Sequence, residues 1–229
     1  MTPDTLVSVV LPAYNQADHI GEVVREYSAV LGRMPLQHEL VLVPNGSTDD
    51  TEAVCANLAA TMPTVRSEPI ERGGWGRAVR HGLAQARGDL LCYTNSARTA
   101  PNELTLTILY AAMHPGTVVK ANRKIRDHWS RRLGSLLYNL ECRALFDLSV
   151  WDVNGTPKVF PRTCDRLLRL THDDDLIDAE FVWACRLARY PMLEVPVFSS
   201  RRIAGKSTTN LRSAVRMYYG AWALRREAR

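Results

Sequence analysis

Arginine supplies 25 of the 29 basic residues in this 229-residue chain. Its planar fork makes paired hydrogen bonds to phosphate or carboxylate oxygens, where lysine offers a point charge. The distribution is uneven: residues 1–119 hold 8 Lys and Arg against 12 Asp and Glu, a balance of −4, while residues 120–229 hold 21 against 12, a balance of +9. Two readings fit, a solvated basic surface or a second half that handles an anionic partner. The remaining reactive side chains narrow the chemistry by exclusion. The six histidines lack metal-ligand spacing and form no Ser-His-Asp or Cys-His pattern. Cys55, Cys92, Cys142, Cys164 and Cys185 contain no Cys-x-x-Cys pair, which fits reduced packing residues rather than a disulfide framework or zinc site. Asp173-Asp174-Asp175 reads as a solvated helix N-terminus. The basic residues form no recognised nucleic-acid motif, so no nucleic acid partner is expected.

The elements that must position these residues follow a strand-loop-helix rhythm, the pattern of a mostly parallel sheet flanked by helices. Strands are expected at 6–11, 39–43, 89–93, 117–121, 157–160 and 192–198. Helices are expected at 18–31, 49–60 (capped by Thr48-Asp49-Asp50), 75–87, 102–113, 128–147 and 176–189, with a final one from about 208. Ligands of such sheets gather at the carboxyl ends of the strands, so Ala13-Tyr14-Asn15, Asn45-Gly46-Ser47 and Asn95-Ser96-Ala97 should meet in one crevice. The length and the 46% hydrophobic content fit one domain over 1–229, with a first half to about 119 and a second from about 120 ending in an amphipathic helix. No apolar run approaches the ~20 residues of a membrane span and the N-terminus lacks a secretory pattern, so the expected location is the cytoplasm or the inner face of the membrane.

Together, Val7-Ser8-Val9-Val10-Leu11-Pro12-Ala13-Tyr14-Asn15-Gln16 and Glu39-Leu40-Val41-Leu42-Val43-Pro44-Asn45-Gly46-Ser47-Thr48-Asp49 resemble the nucleotide-sugar half of a family 2 glycosyltransferase. Arg72-Gly73-Gly74-Trp75-Gly76-Arg77-Ala78 resembles that family's glycine-containing helix entry, without the Lys-Ser/Thr ending of a P-loop. Further along, Asp152-Val153-Asn154-Gly155-Thr156-Pro157-Lys158-Val159-Phe160, Ile177-Asp178-Ala179-Glu180, Glu194-Val195-Pro196 and Arg202-Ile203-Ala204-Gly205-Lys206-Ser207 resemble, in order, elements of dolichol-phosphate mannose synthase-like members. The resemblance implies a glycosyltransferase-A (nucleotide-diphospho-sugar transferase) fold, an α/β architecture. It also implies a family departure: the Asp-x-Asp that holds a divalent metal on the donor is replaced by Asn95-Ser96-Ala97, and the usual Asp-Asp-Gly-Ser begins Pro44-Asn45.

The implied donor contacts are Pro12, Ala13, Tyr14, Asn15 and Gln16 in the first loop, Asn45, Gly46 and Ser47 in the second, and Gly76 and Arg77 at the helix entry. Asn95, Ser96 and Ala97 follow at the corner, then Lys120, Arg123, Arg202, Lys206 and Ser207. Neutral Asn and Ser are poor ligands for a hard cation and Ala97 is none, so no metal site is assigned and Mg or Mn is not expected to bind tightly. Cations must then neutralise the leaving diphosphate, Arg98 first, with Lys120, Arg123, Arg202 and Lys206 near it. An alcohol acceptor needs a carboxylate base, Asp152 first and then Asp178 or Glu180, whereas a phosphate acceptor needs none. The +9 half and Arg131-Arg132 beside Leu133, Leu136, Leu137 and Leu140 favour a polyprenyl-phosphate acceptor; a soluble metabolite or polysaccharide precursor, and a catalytically silent nucleotide-binding relative, are the alternatives. The last helix, with Arg212, Arg216, Arg225 and Arg226 beside Met217, Tyr218, Tyr219 and Trp222, either rests on an anionic membrane, packs on the domain or forms a dimer contact.

Overall fold

The computed structural model describes residues 4–123, 129–198 and 211–227, with side chains omitted at 129–133, 211–216 and 227. Arg202, Lys206 and Ser207 lie outside the described residues, as do the side chains of Arg131, Arg132, Leu133, Arg212 and Arg216.

Strand β1 (Leu6–Ala13) is apolar and almost wholly buried, as a central parallel strand covered on both faces must be. It pairs in parallel with β2 (Gln37–Pro44) on one side and β4 (Leu90–Tyr93) on the other. A three-residue β3 (Val65–Ser67) adds an edge beyond β2 that periodicity alone did not reveal. The other side continues through β6 (Lys158–Pro161), β5 (Val118–Arg123) and β7 (Met192–Val197), giving the order β3-β2-β1-β4-β6-β5-β7. The single reversal is β6, which runs antiparallel to both β4 and β5.

Two buried apolar layers cover this sheet. One face carries α1 (Ile20–Leu31), α2 (Thr51–Thr61) and α4 (Pro101–Met113), with Val9, Leu11, Tyr27, Leu104 and Ile108 among its core residues. The other carries α3 (Trp75–Gln85), α5 (Trp129–Phe146), α6 (Ile177–Ala188) and α7 (Leu211–Glu227), built on Tyr93, Phe146, Phe160 and Phe181. All five cysteines are buried free thiols in these layers. Asp50 makes no side-chain cap for α2; Asp49 Oδ1 instead accepts the Thr51 N–H at 3.1 Å and the Thr51 hydroxyl at 2.5 Å. The final helix packs inward on the domain through Ala221 and Leu224, and Tyr218 meets Tyr138 of α5 edge-on at 5.4 Å.

Candidate active site

The loops after β1, β2 and β4 converge as expected of parallel strand ends. Asn15, at φ 50°, donates its N–H to Ser47 Oγ at 3.2 Å and accepts the Thr48 N–H at 2.8 Å. Gln16 N–H donates to Thr51 Oγ1 at 2.7 Å and Ala17 N–H to Asp49 Oδ2 at 3.1 Å, so the first two loops are zipped together. Pro12 and Ala13 are buried strand residues, while Tyr14 is left exposed above them.

Asn45, one of the implied donor contacts, spends its side chain within the protein. Its amide donates to the Ala13 carbonyl at 2.9 Å and the Val43 carbonyl at 3.2 Å, both hydrogens going to backbone. Its side-chain oxygen faces the Gly74 N–H at 3.4 Å. A buried residue whose two donors are consumed this way ties three loops together and has none left for a base edge. Gly46, at φ 63°, lies so close to the 71–73 segment that a Cβ there would come within 2.6 Å of the Gly73 nitrogen.

The altered corner is a closed turn. Ser96 is fully buried and donates to Gln16 Oε1 at 2.7 Å, Asn95 Oδ1 accepts the Ala97 N–H at 3.1 Å, and the Arg98 and Thr99 N–H groups return to the Asn95 carbonyl. Ala97 is buried and Arg98 is half-buried beside it. Among the described residues no group of three or more His, Cys, Asp or Glu is placed to hold a metal ion. The donor set here, one amide oxygen and one hydroxyl already bonded within the protein, does not fit a divalent cation.

At the helix entry, Arg77 donates through Nε and Nη2 to Asp173 Oδ2 at 3.2 and 2.6 Å, and Arg80 reaches Asp173 Oδ1 at 2.7 Å. Asp173 is therefore a clamp rather than a merely solvated helix start. It holds the 172–174 strap against α3, and a Cβ on Gly76 would overlap the His172 carbonyl and lie 2.7 Å from the Asp174 carbonyl. Gly76→Ala should therefore push the strap off α3 at ~1–3 kcal/mol of strain. The expected result is a lowered melting temperature together with weaker nucleotide binding, measured by thermal melts with and without nucleotide.

The three carboxylates proposed as bases are all engaged. Asp152, almost fully buried, accepts Arg123 Nε at 2.7 Å, Nη2 at 2.8 Å and the Arg123 N–H at 3.0 Å. Asp178 accepts the Tyr93 hydroxyl at 2.9 Å and the ammonium of fully buried Lys158. Glu180 accepts from Thr171 N–H and Oγ1 at 2.8 and 2.9 Å and from His172 N–H and Nδ1 at 3.0 and 2.9 Å. Burial alone would raise Glu180, and these bonds bring it below the usual carboxylate range instead. Glu180 thus has both oxygens engaged at the α6 end of the site, while both bonds to Asp178 fall on Oδ1.

Lys120 is likewise corrected. It is fully buried and donates to Glu194 Oε1 at 3.0 Å, the Ala121 carbonyl at 3.2 Å and the Asp152 carbonyl, which uses all three of its hydrogens and leaves none for a diphosphate. Glu194 is the hub that sequence reasoning missed. It also accepts Asn122 Nδ2 at 3.0 Å and the N–H groups of Trp151 and Asp152 at 2.9 Å each. Only the register Lys120↔Glu194 between β5 and β7 makes it visible. Arg123 differs from Lys120: its side chain keeps 20% of its surface open, and Nη1 is not used by Asp152. Burial pulls against its charge, and Asp152 more than offsets this, so the guanidinium titrates above its ordinary value.

The family model described as glycosyl transferase family 2 matches residues 8–168. Undecaprenyl-phosphate 4-deoxy-4-formamido-L-arabinose transferase of Sodalis glossinidius is 24% identical over 217 residues, covering 93% of this chain and 65% of that protein. Glucosyl-3-phosphoglycerate synthase of Mycolicibacterium paratuberculosis is 33% identical over 114 residues, 48% of this chain and 34% of that protein. The chain thus spans less than two thirds of the length of these relatives. The Mycobacterium tuberculosis glucosyl-3-phosphoglycerate synthase, solved with Mn2+, UDP-glucose and phosphoglyceric acid, superposes with a TM-score of 0.75 at 20% identity over 96% of this chain and 79% of that one. The fold is therefore the glycosyltransferase-A fold, and the chain belongs to glycosyl transferase family 2.

Proposed function

We propose that this protein transfers a sugar from a nucleotide-sugar donor to an anionic acceptor, with a polyprenyl phosphate as the preferred class and little or no dependence on a divalent metal. The observation that carries this reading is Arg123, a guanidinium held rigidly at the strand ends by Asp152, which leaves its Nη1 unengaged among the described residues. The named activities of the relatives support the choice of acceptor, since one set acts on undecaprenyl phosphate and a solved neighbour holds phosphoglyceric acid. A phosphate oxygen attacks as an anion and needs no base, which agrees with the occupied state of Asp152, Asp178 and Glu180. Arg98 at the Asn95-Ser96-Ala97 corner, together with Arg123, neutralises the departing diphosphate as its charge develops. Arg202, Lys206 and Ser207 belong to the same proposal by their family pattern. The sugar's anomeric bond to the diphosphate breaks as the acceptor oxygen bonds to that carbon, and the nucleoside diphosphate leaves.

The test is transfer of radiolabelled sugar from a panel of nucleotide sugars to farnesyl phosphate and to 3-phosphoglycerate. Transfer to the prenyl phosphate supports the reading; transfer only to the glycerate moves the acceptor to soluble metabolites. Binding to nucleotide without any transfer would favour a silent relative.

The same reading places the protein at a membrane surface. Among the described residues no helix is long and apolar enough to cross a bilayer. On α7, however, Tyr219 (75% exposed) and Trp222 (56%) stand at i and i+3, with exposed Arg226 at i+7, a face suited to an anionic lipid interface. Co-sedimentation with vesicles containing phosphatidylglycerol should retain the protein and should weaken in Trp222→Ala; no sedimentation would remove the membrane from the proposal.

A further inference from the structure

Trp151 is next in sequence to Asp152, yet its indole is 51% exposed. Its backbone is fixed on the N-terminal side. The Trp151 N–H donates to Glu194 Oε2 at 2.9 Å, and Arg143 Nη1 donates to the carbonyls of Ser149 and Val150 at 3.3 and 3.1 Å. The same Arg143 guanidinium lies over the Trp151 ring, 3.8 Å from its centroid, a cation–π contact that holds the ring in place. An exposed aromatic ring made rigid in this way is a ready contact surface, because little conformational freedom remains to be lost when something covers it.

A strip of α5 leads to this ring. Leu136 (54% exposed) and Leu140 (57%) precede Arg143 at i, i+4 and i+7, one stripe of the helix about 10 Å long at 1.5 Å per residue. Trp151 is followed in the chain by Asp152, whose carboxylate holds Arg123. Exposed apolar side chains leading to a ring one residue from the carboxylate that holds Arg123 match an apolar tail behind an anionic head. We propose that Trp151, Leu136 and Leu140 form the subsite for the acceptor's hydrocarbon chain: the phosphate monoester meets Arg123 while the first prenyl units lie over Trp151 and along α5. The inference rests on the phosphate-acceptor reading and adds the residues that select a lipid over a compact phosphate.

Isothermal titration with inorganic phosphate and with farnesyl phosphate below its micellar concentration tests this. The wild-type chain should prefer farnesyl phosphate by about tenfold or more, from apolar surface removed from water. Trp151→Ala should bring the two affinities close to parity, Trp151→Phe should keep most of the preference, and the inorganic phosphate titration serves as the control for folding. An undiminished preference in Trp151→Ala overturns the subsite, as does loss of vesicle binding in that variant with the prenyl preference intact, which would make Trp151 a membrane anchor. Failure of the underlying reading has its own signature: inorganic phosphate affinity that is indifferent to Arg123→Gln.

Discussion

Arg123→Gln should reduce sugar transfer by ~10²–10³, the cost of removing one preorganised donor from a charge that develops in the transition state. The effect should appear in kcat and in the acceptor KM together if, as proposed, the same guanidinium holds the acceptor phosphate. Asp152→Asn distinguishes two roles for the neighbouring carboxylate. Were Asp152 the base, its loss would remove the acidic limb of the pH–rate profile, and adding Arg123→Gln would cost further activity. The geometry predicts otherwise. Asp152 is nearly sealed from water and spends its oxygens on Arg123 Nε, Nη2 and N–H, so it positions the guanidinium. Asp152→Asn should therefore leave the shape of the profile intact, and the Arg123→Gln/Asp152→Asn double variant should be no slower than Arg123→Gln alone. Residues that act as one unit are non-additive in this way. Steady-state kinetics of the three variants, with melting temperatures to confirm folding, checks it.

The largest stability effect is expected at Lys158 and Asp178. Lys158 is fully buried, its ammonium paired with Asp178, which also accepts the Tyr93 hydroxyl. Lys158→Met alone leaves Asp178 buried with only the Tyr93 hydroxyl, and Asp178→Asn alone leaves an uncompensated ammonium; each should cost ~3–5 kcal/mol. The Lys158→Met/Asp178→Asn double variant removes both charges and should recover most of that loss, since replacing a whole buried ion pair is often neutral. The pair also sets a pH dependence. Burial lowers Lys158 to about 8, against its ordinary 10.5, with Asp178 opposing the shift. Between those values the unfolded chain holds a proton that the folded chain has released, so stability rises with pH across that window, by at most ~1.4 kcal/mol per pH unit. Denaturant unfolding from pH 7.5 to 10.5 should show the wild type gaining stability relative to the double variant as pH rises, since the buried thiols, raised by burial, act against it in both.

The sequence made the donor side legible because strand ends announce themselves locally. An apolar run followed by Asn15, Asn45 or Asn95 marks a turn wherever it stands, and the parallel rhythm brings those turns together. The lysines were harder. Lys120 reads as a cation on a crevice-lining segment and Lys158 only as part of a motif, and both are fully buried. Their partners Glu194 and Asp178 lie 74 and 20 residues away, and the antiparallel insertion of β6 between β4 and β5 decides which side chains meet. The Asp173 clamp on Arg77 spans 96 residues, so three consecutive acids gave no sign of it. A strand of three residues such as β3 leaves no periodicity to detect. What local pattern cannot supply is the pairing of distant charges, and that pairing separates Arg123, whose Nη1 Asp152 does not use, from Lys120, whose donors are spent.

On the proposed reading the donor crevice holds its diphosphate without a metal, because Asn95-Ser96-Ala97 is a closed turn with no carboxylate. Calorimetric titration of UDP- and GDP-sugars into the full chain, once with excess EDTA and once with Mn2+, tests it most directly. The expected result is saturable binding of one donor with dissociation constants that agree within about threefold, less than 1 kcal/mol, in the two conditions. Binding that appears only with Mn2+ would contradict it.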